Sequence, residues 1–65
     1  MNIQTLLNDI KSSGMTDAEI GAEIGAPQSV IHRLRTGKHS TTSFERGMKI
    51  ETLARARKPD IYPPK

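Results

Sequence analysis

Four side chains that can form hydrogen bonds are spaced so that they share one face of a short helix: Gln28, Ser29, His32 and Arg33. Ile31 and Leu34 are interleaved with them and must face the opposite way in a helix of about 3.6 residues per turn. A Gln amide can pair with adenine through two hydrogen bonds, and an Arg guanidinium can pair with guanine in the same way. This face could therefore read base edges in the major groove of DNA. The alternative is that every soluble helix turns polar residues outward.

The helix that carries this face is predicted to be the second of a packed pair. Two helical patterns, residues 17–24 and residues 28–36 (or 27–36), are separated by the turn Gly25-Ala26-Pro27. The inward positions of both patterns are apolar: Ile20, Ile24, Ile31 and Leu34. Gly21 lies where the two helices must approach most closely, so we expect any side chain larger than a methyl group to separate them. The spacing therefore predicts a helix-turn-helix.

The ends of the two helices also have sequence signals. Thr16 followed by Glu19 is a capping box, which predicts that the first helix of the pair starts at Asp17. Gly25 can supply a positive φ in the turn, and Pro27 suits the first position of the next helix, where its missing N–H is not needed. Gly37 is predicted to end that helix.

Residues 15–38 resemble, without a gap, the helix-turn-helix of the lambdoid-phage Cro and repressor family. The resemblance is carried by TDAEIG at residues 16–21, IGAPQS at residues 24–29, and Ile31, Leu34 and Gly37. The family commonly reads Thr-Gln-x-x-Leu-Ala in the first helix and Gly-Val-Ser in the turn. This chain departs from that pattern at Asp17, Gly21, Ala26 and Pro27. The Asp17 departure matters most, because the family's Gln there often bonds a phosphate that a carboxylate would repel.

The resemblance implies a DNA-binding mode for particular residues. Gln28 and Ser29 match a residue pair that reads base edges in phage repressors, and His32 and Arg33 are the further exposed positions of the same helix. Contacts with the DNA backbone are implied for residues at helix ends and in the following loop: Thr16, Thr36, Lys38, His39 and Ser40. Such contacts position a protein without reading sequence.

The remaining chain predicts two more helices and a tail. Residues 2–12 have apolar residues at i, i+3, i+4 and i+7 and form the first helix, and residues 43–57 form the fourth, with a capping box at Thr42 and Glu45. The tail, residues 58–65, holds three of the four prolines and is either disordered or an extended arm. The expected fold is an all-α, four-helix (possibly five-helix) Cro/repressor-like domain over residues 1–57. The family's fifth helix commonly helps to form its dimer, so the dimer surface is left open.

Charge is distributed unevenly along the chain. Residues 1–27 carry a net charge of −3, residues 28–49 carry +4 and residues 50–65 carry +2. The positive charge therefore starts with the predicted third helix, as contact with phosphates requires. Arg35 and Arg46 are interpreted as parts of a solvated face.

Other functional classes have little support in the composition. Cysteine is absent, and His32 and His39 are seven residues apart across a helix end, so no metal site is expected. No serine has the histidine and carboxylate partners of a nucleophile, so no catalytic residue, cofactor or small-molecule substrate is predicted. One Tyr and one Phe give no stacking platform for single strands. No apolar run is long enough for a membrane span, and a cytoplasmic location is expected.

The sequence therefore predicts a protein that binds double-stranded DNA in a sequence-specific way and regulates transcription, from a phage or prophage, as a homodimer on a palindromic operator. One alternative keeps the DNA contact in an antitoxin or a recombination accessory protein. Another is a protein-interaction module that docks an acidic partner, for which Asp17 and the missing fifth helix are the best support. An enzyme is the weakest alternative.

Overall fold

The computed structural model describes residues 2–38 and 42–63, which form four α-helices and no strand. The helices are α1 Ile3–Ser12, α2 Asp17–Ile24, α3 Gln28–Thr36 and α4 Phe44–Arg57. The all-α class and the four predicted helices are confirmed. Within the described ranges, no helix combines the length and the apolar character that crossing a membrane requires.

Side chains at the helix starts fix where each helix begins. Thr16 and Glu19 form both bonds of the predicted capping box: the Glu19 N–H donates to Thr16 Oγ1 at 3.1 Å, and the Thr16 N–H donates to Glu19 Oε1 at 3.0 Å. The capping box predicted for α4 at Thr42 and Glu45 is wrong. Ser43 is the N-cap, and its Oγ accepts from the Arg46 N–H at 3.2 Å. Ser43 is the last residue with extended backbone before α4, with φ −64° and ψ 153°, so its side chain, rather than that of Thr42, reaches the free N–H groups of the first turn.

The turn between α2 and α3 uses glycine as predicted. Gly25 is left-handed, with φ 76° and ψ 34°, and the N–H groups of Gly25 and Ala26 both donate to the Gly21 carbonyl, at 2.8 and 2.9 Å. Pro27 is the extended N-cap of α3, with φ −62° and ψ 149°, so α3 starts at Gln28, the later of the two predicted starts. Gly37 ends α3 with φ 84°. A glycine therefore closes each helix of the α2–α3 pair.

One apolar core joins the four helices. Its members in the α2–α3 pair are the four residues predicted from the pattern, Ile20, Ile24, Ile31 and Leu34, each no more than 2% exposed. The other helices and the turn contribute the remaining buried apolar residues: Leu6, Leu7, Ile10, Ala26, Ile50 and Ala54. Through this core, α1 packs against both α3 and α4. The helix α3, which carries the exposed polar face, thus packs against both α1 and α2.

Gly21 makes a closer contact than the sequence predicts. A Cβ atom at Gly21 would lie 2.4 Å from the carbonyl oxygen of Ala26, so even a methyl group requires the backbone to shift. The expectation that a methyl group fits is therefore wrong. The reason is that α2 is closest to the turn itself, whose backbone carbonyl cannot rotate away as a side chain can.

The described part of the tail, residues 58–63, is neither disordered nor an extended arm. The Lys58 carbonyl accepts from the N–H groups of Ile61 and Tyr62, at 3.1 and 2.8 Å, which turns the chain back. The Tyr62 hydroxyl then donates to the Asp9 carboxylate in α1, and the Arg55 guanidinium donates to the Pro63 carbonyl. The prolines exclude a helix, but these two side chains still anchor the segment.

Candidate nucleic-acid interface

The polar face predicted for α3 is exposed. Gln28, Ser29, His32 and Arg33 all lie on the solvent side, opposite the buried Ile31 and Leu34. The side chains of Gln28, Ser29 and Arg33 have no hydrogen bond or ion pair to any other residue in ranges 2–38 and 42–63. Their polar groups are therefore available to a ligand that approaches this face.

An ion pair that the sequence interpretation missed joins the two ends of the α2–α3 pair. Arg35 Nε lies 3.0 Å from Asp17 Oδ1, and Arg35 Nη2 lies 3.1 Å from Asp17 Oδ2. Only 17% of the Arg35 side chain and 9% of the Asp17 side chain are exposed. The interpretation of Arg35 as part of a solvated face is therefore wrong. Arg35 follows Ile31 by one helical turn and so starts from the buried side of α3.

Two further basic side chains lie beside the Asp17 carboxylate. Lys11 Nζ lies 3.7 Å and His32 Nδ1 lies 3.6 Å from Oδ2. The hydrogen bonds from Arg35 lower the pKa of Asp17 below its ordinary value, against the opposing effect of burial, and the charges of Arg35 and Lys11 act in the same direction as the hydrogen bonds. The Asp17 carboxylate is thus ionised, and the positive charges of Arg35 and Lys11 offset its negative charge. The phosphate repulsion expected from this carboxylate is correspondingly reduced.

The same ion pair orients the His32 ring. His32 Nδ1 lies 3.3 Å from Arg35 Nη2 as well as 3.6 Å from Asp17 Oδ2, while the side chain is 52% exposed. In the neutral tautomer whose Nδ1 accepts from the guanidinium, the proton is on Nε2. In a protonated ring, Nδ1–H faces the carboxylate and Nε2 carries a proton again. Nε2, on the far side of the ring, is therefore a hydrogen-bond donor in that tautomer and in the protonated ring.

The residues expected to contact the DNA backbone differ in whether they have a free hydrogen-bond donor. Thr16 is exposed and its Oγ1 accepts the capping bond from Glu19, which leaves the hydroxyl proton for another acceptor. The Thr36 hydroxyl already donates to the His32 carbonyl at 2.9 Å, so it must rotate away before it can donate to a phosphate. Lys38 is exposed directly after Gly37. His39 and Ser40 lie outside the described residues.

A second feature of this side of the molecule is a link between α1 and the end of α3. The Asn8 amide donates to the Arg35 carbonyl at 3.1 Å and to the Gln4 carbonyl at 2.9 Å. Asn8 therefore satisfies a carbonyl in the last turn of α3 that lacks an intrahelical partner. The position of Arg35 is thus fixed through its backbone as well as its side chain.

No protein-family model, curated protein or solved structure matches this chain at a significant level. The functional inference therefore depends on the chemistry and geometry of the α2–α3 pair.

Proposed function

We propose that this chain is a sequence-specific double-stranded DNA-binding protein of the Cro/repressor type, which regulates transcription with α3 in the major groove. The observation that carries the proposal is the α3 face of four exposed hydrogen-bonding side chains, on a helix whose opposite side is buried. A major groove about 12 Å wide admits one helix of this kind. The exposed residues in the first two turns of such a helix are the ones that reach base edges in that geometry.

The four exposed side chains of α3 offer different hydrogen-bonding groups to a base. Gln28 can pair with adenine through its amide, and Arg33 can pair with guanine through two parallel N–H groups. Ser29 can donate or accept. His32 offers the Nε2 donor that its contacts with Arg35 and Asp17 hold outward.

Lys38 and Thr16 are proposed as positioning contacts with phosphates. Both are exposed and lie outside the reading face, at the end of α3 and the start of α2 respectively. Lys38 supplies charge, and the Thr16 hydroxyl supplies a donor. Such contacts raise affinity for every duplex equally and so set register without adding sequence preference.

Rigidity of the α2–α3 pair supports the same proposal. The Gly21–Ala26 contact fixes the pair at its turn, and the Asp17–Arg35 ion pair fixes it at the open end. A reading helix held in this way loses little conformational freedom on binding, which favours affinity for the correct site. A homodimer on a palindromic operator follows because one module of this size buries too little surface for tight specific binding.

The test is selection of double-stranded oligonucleotides with random sequence by the purified protein, in competition with a bulk polyanion. Enrichment of a palindrome is the expected result, and it would also exclude the protein-interaction module. Recovery of no preferred sequence would contradict the proposal. Affinity for the enriched site should fall steeply with salt, by about 0.9 in log K per unit of log salt for each phosphate neutralised. A flat response to salt would count against DNA binding of any kind.

The protein-interaction hypothesis loses one of its supports. It drew on Asp17 as a charge that repels phosphate, but that carboxylate is buried and bonded to Arg35. No other contact in the described residues favours an acidic protein over DNA as the ligand of α3.

A further inference from the structure

The His32 ring, on the exposed polar face of α3, has a positively charged and a negatively charged group beside the same nitrogen. Its Nδ1 lies 3.3 Å from Arg35 Nη2 and 3.6 Å from Asp17 Oδ2. Those two atoms are themselves 3.1 Å apart, so the three atoms form a triangle of contacts. The His32 side chain is 52% exposed, which leaves the ring free to turn within this triangle and open to a ligand.

The two neighbours of Nδ1 favour different charge states of the ring. The Arg35 guanidinium can only donate, so it favours a neutral ring whose Nδ1 accepts its N–H. The ionised Asp17 carboxylate can only accept, so it favours a protonated ring whose Nδ1–H donates to it. Uptake of one proton therefore exchanges one partner of His32 for the other. Histidine is the side chain that ordinarily titrates in the physiological range, at about pH 6.5.

The charged groups around the ring come from three helices. Asp17 of α2 is ionised throughout that range, because the hydrogen bonds from Arg35 lower its pKa below the ordinary 3.8. Lys11 of α1 lies 3.7 Å from the same carboxylate, and Arg33 follows His32 on the exposed face of α3. Arg35, Lys11 and Arg33 carry three positive charges against the one negative charge of Asp17. In the free protein, this excess of positive charge opposes a further charge on the ring.

Duplex DNA against α3 would reverse that balance. It carries one negative charge for about every 1.7 Å of its axis, which favours a positive ring over a neutral one. A protonated His32 can also use both nitrogens at once, since Nδ1–H donates to Asp17 while Nε2–H donates to a base or a phosphate. The neutral tautomer that accepts from Arg35 keeps the Nε2 donor but brings no charge to the DNA.

We propose that His32 makes DNA binding proton-linked: the ring takes up a proton on binding, and Nδ1 exchanges Arg35 for Asp17. The inference rests on the proposed function, because the ligand is the DNA that α3 reads. Coupling between two ligands is reciprocal, so a proton strengthens DNA binding by the factor by which DNA favours the protonated ring. The gain is present in acid and is lost as pH rises and the ring of the complex loses its proton.

The dependence of DNA affinity on pH tests the coupling. The association constant of the wild-type protein for the enriched duplex should rise about tenfold from about pH 8 to about pH 5.5. His32→Gln, which keeps a donor but takes up no proton, should show a flat response. Circular dichroism at both pH values checks that each protein stays folded. A flat wild-type response, or the wild-type slope in His32→Gln, would overturn the inference.

His39→Gln is the matched control, because it removes the other histidine of the chain. It should keep the wild-type dependence on pH, whatever it does to the affinity itself. Loss of the pH dependence in His39→Gln, with the dependence retained in His32→Gln, would assign the proton to the wrong histidine and overturn the inference.

The exchange of partners is tested in the free protein, without DNA. Nitrogen NMR of the labelled protein distinguishes a ring nitrogen that carries a proton from one that does not. We expect Nδ1 of His32 to be unprotonated at about pH 8 and protonated at about pH 5.5, with Nε2 protonated at both. A neutral ring with its proton on Nδ1 would overturn the exchange, because that nitrogen could not accept from Arg35.

The two proposals fail separately. A duplex that is enriched in the selection but bound equally well at about pH 5.5 and about pH 8 would overturn the proton linkage and leave the proposed function standing. A chain that enriches no sequence, while its His32 nitrogens exchange as expected, would overturn the proposed function and leave the exchange of partners standing.

Discussion

Arg35 in the last turn of α3 donates two parallel hydrogen bonds to Asp17 in the first turn of α2, at 3.0 and 3.1 Å. The two residues are eighteen positions apart in the sequence and span the open end of the α2–α3 pair, while Gly21 against Ala26 closes the end at the turn. The paired geometry is the strong form of a carboxylate–guanidinium contact. Because Arg35 also contacts His32, one ion pair both holds α3 against α2 and contacts a side chain on the exposed face of α3.

Removing Arg35 should destabilise the fold. Arg35→Ala leaves the Asp17 carboxylate buried without its main partner, which should cost about 3 kcal/mol of the free energy of unfolding. Arg33→Ala is the matched control, since that side chain is exposed and its removal should change stability by less than about 0.5 kcal/mol. Urea unfolding followed by helical circular dichroism measures both. Equal stability of the two variants would mean that the ion pair contributes nothing to the fold.

Stability should fall in acid through Asp17. Its pKa is lower in the folded protein than the ordinary 3.8, chiefly because of the hydrogen bonds from Arg35. Its contribution is therefore fully present above the unfolded pKa and is lost as pH falls through the folded pKa. Thermal unfolding between about pH 5 and pH 2 should show a smaller acid loss for Asp17→Asn than for wild type. A wild-type and a variant curve with the same acid slope would contradict this assignment.

Glu19 is a second carboxylate whose protonation should destabilise the fold in acid. The Thr16 N–H donates to its carboxylate and lowers its pKa, so its contribution to stability has the same sign and is lost in the same direction. Glu19→Gln should therefore remove a further part of the acid slope. The two effects should add, because no contact joins the two carboxylates.

Two glycine substitutions should have opposite effects on stability. Gly21→Ala places a Cβ 2.4 Å from the Ala26 carbonyl oxygen, and the resulting backbone shift should cost about 1–3 kcal/mol despite the better helix propensity of alanine. Gly47→Ala lies inside α4, where the nearest atom to the new Cβ among residues 2–38 and 42–63 is Thr42 Cγ2, at an ordinary contact distance of 3.8 Å. It should stabilise the fold by up to about 1 kcal/mol. Thermal unfolding compares them, and a stabilised Gly21→Ala would show that the close contact does not exist.

The parts of the molecule that the sequence predicts well are those set by local rules. The buried residues of the α2–α3 pair follow from a period of 3.6, and the Thr16–Glu19 box involves residues three apart. Contacts between distant residues had no such signal. Tyr62 bonds to Asp9 across 53 positions, so proline content alone suggested a loose tail. In the same way, an apolar pattern in α4 could not distinguish the buried Ile50 from the exposed Phe44.

His32 should prefer a base that offers an acceptor. Its Nδ1 lies beside the Arg35 guanidinium, and in the tautomer whose Nδ1 accepts from that group Nε2 presents a proton, so guanine, with acceptors at both N7 and O6, is the expected partner. In the selection, His32→Phe should lose the preference at one base pair of each half-site, whereas His32→Gln, with an amide donor, should retain part of it. A preference for cytosine on the contacted strand would contradict the donor assignment.

Substitutions of Arg33 and Lys38 should distinguish a contact with a base from a contact with the DNA backbone. Arg33 lies on the exposed polar face of α3, which we propose reads bases, so Arg33→Ala should cost roughly 1–3 kcal/mol on the selected site and relax the preference at one base pair. Lys38 follows the left-handed Gly37 and lies beyond the end of α3. Lys38→Ala should therefore weaken binding to selected and random duplexes alike. It should also reduce the slope of log K against log salt by about 0.9, the value for one phosphate contact. Both variants should keep wild-type helicity, whereas Gly21→Leu should lose binding together with helicity. If Arg33→Ala kept its preference at every base, α3 would not be the reading helix, and a protein partner would become the better hypothesis for this face.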